Sequence, residues 1–190
     1  MTGVQTCDLP ICWKPRNTRK TVVVPSPVRV TGRDYAHALE RLNHLFLRNA
    51  WSDGLPLLPP TPQRVADMLR GTDWPRDRLL GKLLPKGGHA TVESVAIAAA
   101  MAGCRPEYLP VLLAAVQAIL DPLVYHQHMQ STTGNAHPAL IVNGPLARQI
   151  RLNSGYGCLG PNPRYPAGAS IGRALRLLLL NVGGALPGSG

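Results

Sequence analysis

The sequence predicts an α/β or α+β fold in which a small sheet packs with several helices. Short β-branched runs alternate with segments that carry apolar residues at every third or fourth position, and such alternation is typical of mixed folds. Hydrophobic residues make up 45% of the 190 residues, which excludes wholesale disorder and allows one buried core. Aromatic residues make up only 5%, so Leu, Val, Ala and Ile are expected to form most of that core.

Each end of the chain carries a distinctive segment of sequence. Residues 1–11, MTGVQTCDLPI, resemble the translation of a sequencing-read adapter, which has Ala where Asp8 stands, and a basic cluster follows. We therefore expect residues 1–20 to be an artefactual or disordered basic tail and residues 21–190 to form a single α/β domain. Because the glycine-rich segment 183–190 directly follows a predicted helix, we expect that domain to be incomplete and truncated at its C-terminus.

The first elements of the domain are two short strands and a helix. The β-branched runs 21–24 and 28–30 are separated by prolines, which suits edge strands or an extended arm. An amphipathic helix is predicted over 35–50, with Thr31 or Asp34 as its N-cap.

A proline-rich loop over 51–60 leads to the second helix. This helix is predicted over 62–69, because Thr61 is a favourable N-cap and a proline occupies the first helical position. The apolar run 79–84 then predicts a strand.

Two apolar helices are predicted in the middle of the chain. Thr91 is expected to cap the first and Gly103 to end it, and the residues between them are almost all apolar. Pro106 is expected to open the second, which runs to about Leu120. The first helix is therefore expected to be central, and alanine-rich surfaces on both would let them approach closely.

The last third of the chain predicts two more strands and two more helices. The strands are expected over 123–129 and 139–142, the latter in the interior of a sheet because of its apolar character. The helices are expected over 146–151 and 170–181. The loop between them is long and rich in Gly, Pro and Asn, a composition typical of functional or disordered loops.

A candidate anion site is predicted around the start of the last helix. A helix that begins at Ser170 would present free backbone N–H groups to an anion, and Arg173 would add a bidentate donor. Asn143 ends a predicted strand beside a helix start, where α/β proteins commonly bind ligands. Arg148 and Arg164 would supply further positive charge for a substrate. Ordinary capping and loop closure explain the same residues and are the more frequent explanation.

The glycine spacing over 155–160 does not indicate a dinucleotide site. It matches GxGxxG, but the required strand does not precede it, and the prolines at 161 and 163 prevent a helix from opening after it.

Candidate catalytic residues are few. Asp53, between Trp51 and Gly54, is the most site-like acid, and Cys104 is the candidate thiol, although a turn residue and a buried thiol are the simpler interpretations. Cys158 is expected to be more exposed. His126 and His128 would share one face of a strand, but no nearby carboxylate supports a metal site, so no metal is predicted. The sequence identifies no cofactor.

The net charge of +10 favours acidic partners, such as a small-molecule anion. Nucleic acid is a minor alternative, since the basic tail lacks interleaved aromatic residues and any known module signature. No run reaches the length of a membrane span, and no signal peptide is evident. A cytoplasmic location is therefore expected.

Five segments are jointly distinctive: WSDGLP at 51–56, GGHATVESV at 87–95, MAGCRPEYLPV at 101–111, VNGP at 142–145 and ASIGRA at 169–174. Together they resemble the UGSC-like family of bacterial (seleno)proteins over about Asp53 to Gly184. That family is named for a motif of selenocysteine or cysteine followed by Gly-Ser-Cys, so the resemblance implies thiol or selenol redox chemistry. The Cys-Gly-Ser-Cys motif itself does not occur in this sequence, so the resemblance assigns redox chemistry to no residue here.

Two functions remain open at this point. The first is a bacterial enzyme domain that binds a small anionic or carbonyl substrate. The second is a non-catalytic companion module that contacts a partner domain or a second copy of the chain.

Overall fold

The fold is α+β. The computed structural model describes residues 4–7, 28–134, 136–157 and 162–186. Within these ranges it contains seven α-helices and two separate two-stranded antiparallel sheets. The helices therefore form most of the structure, and the sheets are small, as the sequence predicts.

Each sheet consists of one antiparallel pair of strands. Strand β1 pairs with β2 so that Val4 lies opposite Thr31, and β3 pairs with β4 so that Leu83 lies opposite Gly88. Strand β1 lies within residues 1–20, where the sequence predicts no strand, and the run 21–24 lies outside the described residues. The bounds of the strands are Val4–Cys7 (β1), Val28–Thr31 (β2), Leu79–Leu83 (β3) and Gly88–Thr91 (β4).

The helices in the first half of the chain begin where the sequence predicts. Asp34 caps α1, since its carboxylate accepts from the N–H of His37 at 2.8 Å. Thr61 and Thr91 cap α2 and α3 through their hydroxyl groups, and Gly103 ends α3 in the left-handed conformation. The bounds of the helices are Tyr35–Arg48 (α1), Pro62–Leu69 (α2), Val92–Ala102 (α3), Leu109–Ile119 (α4), His126–Ser131 (α5), Pro145–Gln149 (α6) and Ala167–Asn181 (α7).

The core is organised around α3, as its apolar sequence predicts. This helix is buried along most of its length and has its most extensive packing against α7, with α2 and α4 also in contact. Ala96 and Ala99 are fully buried on α3, and Leu177 is fully buried on α7. Because alanine side chains are small, they let a neighbouring helix come close, and α7 therefore packs closely on α3.

Two predicted strands are wrong. Residues 123–129 instead form part of a 3₁₀ turn, Pro122–Val124, and the helix α5, which begins after Tyr125 in the left-handed region at φ 49°. Residues 139–142 have no regular structure, and Ile141 is 93% exposed. A strand requires a neighbouring strand, and none of the described strands pairs with either segment.

Two helix starts also differ from the prediction. Residues Pro106–Tyr108 form a 3₁₀ turn before α4 begins at Leu109. Helix α7 begins at Ala167, so Ser170 lies inside the helix and is not its cap. Its hydroxyl group instead donates to the carbonyl of Pro166 at 2.9 Å. In the part of the chain that is described, no helix is long and apolar enough to cross a membrane.

Candidate functional site

One pocket of about 160 Å³ lies where three segments of the chain meet. The segments are the 3₁₀ turn before α4, the end of α6, and the turn that leads into α7. The pocket is lined by Arg105, Glu107, Tyr108, Gln149, Ile150, Arg151, Pro163, Arg164 and Pro166. The lining combines charged and polar side chains with the apolar Ile150 and two prolines.

The first wall is anchored by a buried tyrosine. Tyr108 is 3% exposed, and its N–H donates to the carbonyl of Arg105 at 3.0 Å, which closes the 3₁₀ turn. Pro106 restricts the backbone of the same turn. Arg105 and Glu107 flank this proline, and their backbones are therefore fixed although their side chains are exposed.

The second wall ends in a strained arginine. Arg151 follows α6 with φ 55°, a left-handed conformation that non-glycine residues rarely adopt and that costs on the order of 1 kcal/mol. Its N–H donates to the carbonyl of Arg148 at 3.0 Å, and the N–H of Leu152 donates to that of Ala147 at 2.8 Å. The buried Ile150 holds this turn against the core. The turn therefore directs an arginine to the pocket at a position where glycine would fit more easily.

The third wall is a turn organised by an asparagine. The N–H of Arg164 donates to Oδ1 of Asn162 at 3.0 Å, and the N–H of Tyr165 donates to the Asn162 carbonyl at 3.0 Å. The Arg151 guanidinium lies 5.7 Å from the centre of the Tyr165 ring, within the range of a cation–π interaction. Pro166 is the N-cap of α7, so the positive end of this helix dipole borders the pocket.

The electrostatic character of the pocket is strongly positive. Three guanidinium groups and one carboxylate line it. The described residues contain four ion pairs, and none of them involves Arg105, Arg151, Arg164 or Glu107. These three arginines therefore have donors to offer a ligand, and a guanidinium is the side chain best suited to carboxylate and phosphate oxygens.

Two predicted site residues, Asp53 and Arg173, bind each other. Nε and Nη2 of Arg173 donate to the two oxygens of Asp53 at 2.8 and 2.9 Å, and Nη2 also donates to the carbonyls of Leu55 and Pro56. Burial alone would raise the pKa of Asp53, but the hydrogen bond and charge of Arg173 outweigh it and hold the pKa below 3.8. The bond to Asp53 likewise raises the pKa of Arg173. This pair clamps the loop after α1 onto α7, and neither residue lines the pocket.

Two other predicted residues, Cys104 and Ser170, also lie together. Burial raises the pKa of the Cys104 thiol to about 12, against a small opposing effect from a hydrogen bond with Ser170. Ser170 also donates to the carbonyls of Pro166 and Ala167. The thiol is therefore protonated at neutral pH, and a protonated thiol is a poor nucleophile.

We expect the Cys104 thiol to react with iodoacetamide at pH 7.5 about three orders of magnitude more slowly than an unperturbed cysteine, because so little of it is thiolate. Mass spectrometry of the peptide that contains Cys104, compared with the same peptide from urea-unfolded protein, measures this ratio. Ser170→Ala should slow the reaction further, because it removes the hydrogen bond that favours the thiolate. Equal labelling of folded and unfolded protein would contradict the assignment of a buried, protonated thiol.

Of the predicted substrate-binding residues, the structure places only Arg164 in the pocket. Asn143 and Arg148 are exposed and lie outside the pocket lining, and Cys158 lies outside the described residues. The sequence prediction missed Arg105, Glu107 and Arg151. Arg151 was predicted as the last residue of a helix, and no local signal in the sequence marked any of these three residues as part of a pocket.

No family model, no curated protein and no solved structure matches this chain. The resemblance to the UGSC-like family therefore stays a prediction from the five sequence segments.

Proposed function

We propose that this domain is part of a bacterial cytoplasmic enzyme and binds a small anionic or carbonyl substrate in the arginine-lined pocket. The observation that carries the proposal is the convergence of Arg105, Arg151 and Arg164 on one pocket of about 160 Å³. Each of these arginines comes from a different segment, so only the folded chain creates the site. The backbone strain at Arg151 supports a ligand-binding role, since strained residues concentrate at functional sites.

The chemistry available in the pocket is orientation and charge stabilisation. Guanidinium groups hold carboxylate or phosphate oxygens in a fixed plane, and they stabilise negative charge that develops on a carbonyl oxygen. Glu107 is the one acid in the lining and would be the candidate to accept a proton. The family resemblance assigns no thiol or selenol redox step to any residue of this sequence.

The alternative function, a companion module that docks on a partner domain or subunit, is supported by exposed apolar side chains. Leu123, in the 3₁₀ turn Pro122–Val124, is 84% exposed, and Ile141, in the irregular segment before α6, is 93% exposed. Tyr125 and Tyr156 are also largely exposed. Contiguous exposed apolar patches are typical of surfaces that a partner covers, and in this alternative these side chains would contribute to one.

We expect inorganic phosphate and succinate to raise the melting temperature of the protein, because a ligand that binds only the folded state stabilises it. Arg164→Ala and Arg151→Ala should each weaken binding about 10- to 100-fold, since a hydrogen bond to a charged group contributes roughly 1.5–3 kcal/mol. Isothermal titration calorimetry with each anion, at constant ionic strength, measures the loss directly.

The matched control is Arg64→Ala, which removes an exposed arginine from α2 that has no ion pair among the described residues. It should leave both affinities unchanged. If Arg64→Ala weakens binding as much as Arg164→Ala, the effect is one of net charge and the pocket is not the site. If no anion shifts the melting temperature, the companion module becomes the better explanation.

A further inference from the structure

The pocket is not uniformly basic, because one acid, Glu107, is among the residues that line it. Glu107 lies two residues from Arg105 on the rigid 3₁₀ turn Pro106–Tyr108, and both line the pocket. For a ligand with negative charge alone, a carboxylate in the lining would only repel. Glu107 therefore suits a ligand that presents a hydrogen-bond donor beside its negative groups.

We infer that the pocket selects a small dianion that carries a hydroxyl or ammonium group, and that Glu107 accepts the hydrogen bond from that group. This inference rests on the proposed function, since it assigns a ligand class to the same pocket. An ionised carboxylate accepts hydrogen bonds and donates none. Among the described residues Glu107 has no ion-pair partner, so its oxygens are available to the ligand.

The charges in the pocket match a dianion. Three guanidinium groups and one carboxylate leave an excess of two positive charges in the lining. A ligand with two carboxylates, or with one phosphate, would balance that excess, and the arginines from different segments could hold its two ends or its several oxygens.

The size of the pocket limits the ligand to a small molecule. Its volume of about 160 Å³ is close to the roughly 150 Å³ of a cavity that holds one benzene molecule, so a ligand of about six to ten non-hydrogen atoms fits. A whole nucleotide is far larger. Hydroxy- and amino-dicarboxylates and phosphorylated short alcohols are the ligand classes that meet both the size and the charge.

The test compares succinate with malate, two dicarboxylates that differ by one hydroxyl group. We expect at least one enantiomer of malate to bind the wild-type protein with an affinity about tenfold or more above that of succinate. The reason is that a hydrogen bond to a charged group contributes roughly 1.5–3 kcal/mol. In Glu107→Ala the ratio of the two affinities should fall to about one, while succinate binds as well as before or better. Titration calorimetry gives both affinities, and a melting curve of Glu107→Ala shows that it is folded.

The control variant is Glu40→Ala, which removes an exposed acid from α1 and should preserve the malate preference. Equal affinities of wild type for succinate and malate, with Glu107→Ala improving both alike, would overturn the inference. That result would show that Glu107 merely lies at the start of the helical segment, while the proposed anion site would stand. A preserved malate preference in Glu107→Ala would also overturn it. Failure of phosphate, succinate and malate all to bind wild type would instead reject the proposed function.

Discussion

Replacing Arg173 with Met is expected to lower the free energy of unfolding by about 2 kcal/mol, within the range of a hydrogen bond to a charged group. The substitution keeps the apolar stem of the side chain and removes its donors. It leaves Asp53 half-buried without a counter-charge and frees the carbonyls of Leu55 and Pro56. The pair is shielded, with the two side chains 25% and 16% exposed, so its effect should exceed that of a surface salt bridge.

Urea unfolding of Arg173→Met, Asp53→Asn and the double variant measures this interaction as a double-mutant cycle. Because each single change breaks the same pair, the double variant should cost little more than Arg173→Met alone. Arg64→Met is the matched control and should change stability by less than about 0.5 kcal/mol. If Arg173→Met also lowers the free energy of unfolding by less than about 0.5 kcal/mol, the Asp53–Arg173 pair contributes no more to stability than an exposed ion pair does.

The same pair predicts a pH dependence. The pKa of Asp53 lies below its ordinary value of 3.8 in the folded state, so the carboxylate contributes stability that is fully present above about pH 4 to 5. That contribution is lost as the pH falls through the lowered pKa, because the unfolded state takes up the proton first. The stability difference between wild type and Asp53→Asn should therefore be constant near neutrality and shrink in acid.

Replacing Gly71 with Ala is expected to cost about 3 kcal/mol, the upper part of the usual range for overpacking. A Cβ at this position would lie 2.0 Å from the carbonyl oxygen of Pro106 and 3.1 Å from Cβ of Leu109. A backbone oxygen has no rotamer by which to move aside, so the 3₁₀ turn itself must shift. Because that turn places Arg105 and Glu107, anion affinity should fall together with stability.

Gly172→Ala is the matched control for Gly71→Ala. Gly172 lies within α7, and a Cβ there would meet no described atom within 4 Å. Alanine is favoured over glycine in a helix interior, so this change should stabilise the protein by about 1 kcal/mol. Unfolding curves and phosphate titrations of the two variants show whether the loss of stability and affinity is specific to the clash at position 71 or follows any replacement of glycine by alanine. Normal stability in Gly71→Ala would show that α2 and the turn are not in close contact.

Local signals in the sequence predicted the starts of α1, α2 and α3 well, and they predicted the later helix starts and the strands less well. Thr61 and Thr91 were identified as caps, and Asp34 was one of two candidates with Thr31, because a cap bonds to N–H groups only a few residues away. The strand over 139–142 was wrong because a strand depends on a partner elsewhere in the chain, which a short apolar run does not reveal. The mixed class, α/β or α+β, was predicted because it depends on the number and kind of elements more than on their pairing.

The candidate site could be predicted only in part. Arg164 was identified from its loop, whereas the convergence of Arg105 and Arg151 on the same pocket depends on contacts between distant segments. The partnership of Asp53 and Arg173 joins residues 120 positions apart. Both residues were recognised as unusual, but no spacing rule shows that two such groups satisfy each other.

The loop after α1, which the Asp53–Arg173 pair joins to α7, also contains a natural fluorescent probe, Trp51. Trp51 starts this loop half-buried, and its carbonyl accepts from Nδ2 of Asn181 at 3.0 Å. Trp74 lies under the guanidinium of Arg78, 3.8 Å from the ring centre, on another part of the surface. Tryptophan emission in a Trp74→Phe, Trp13→Phe background would thus follow the docking of the loop on α7 in real time, with no attached dye.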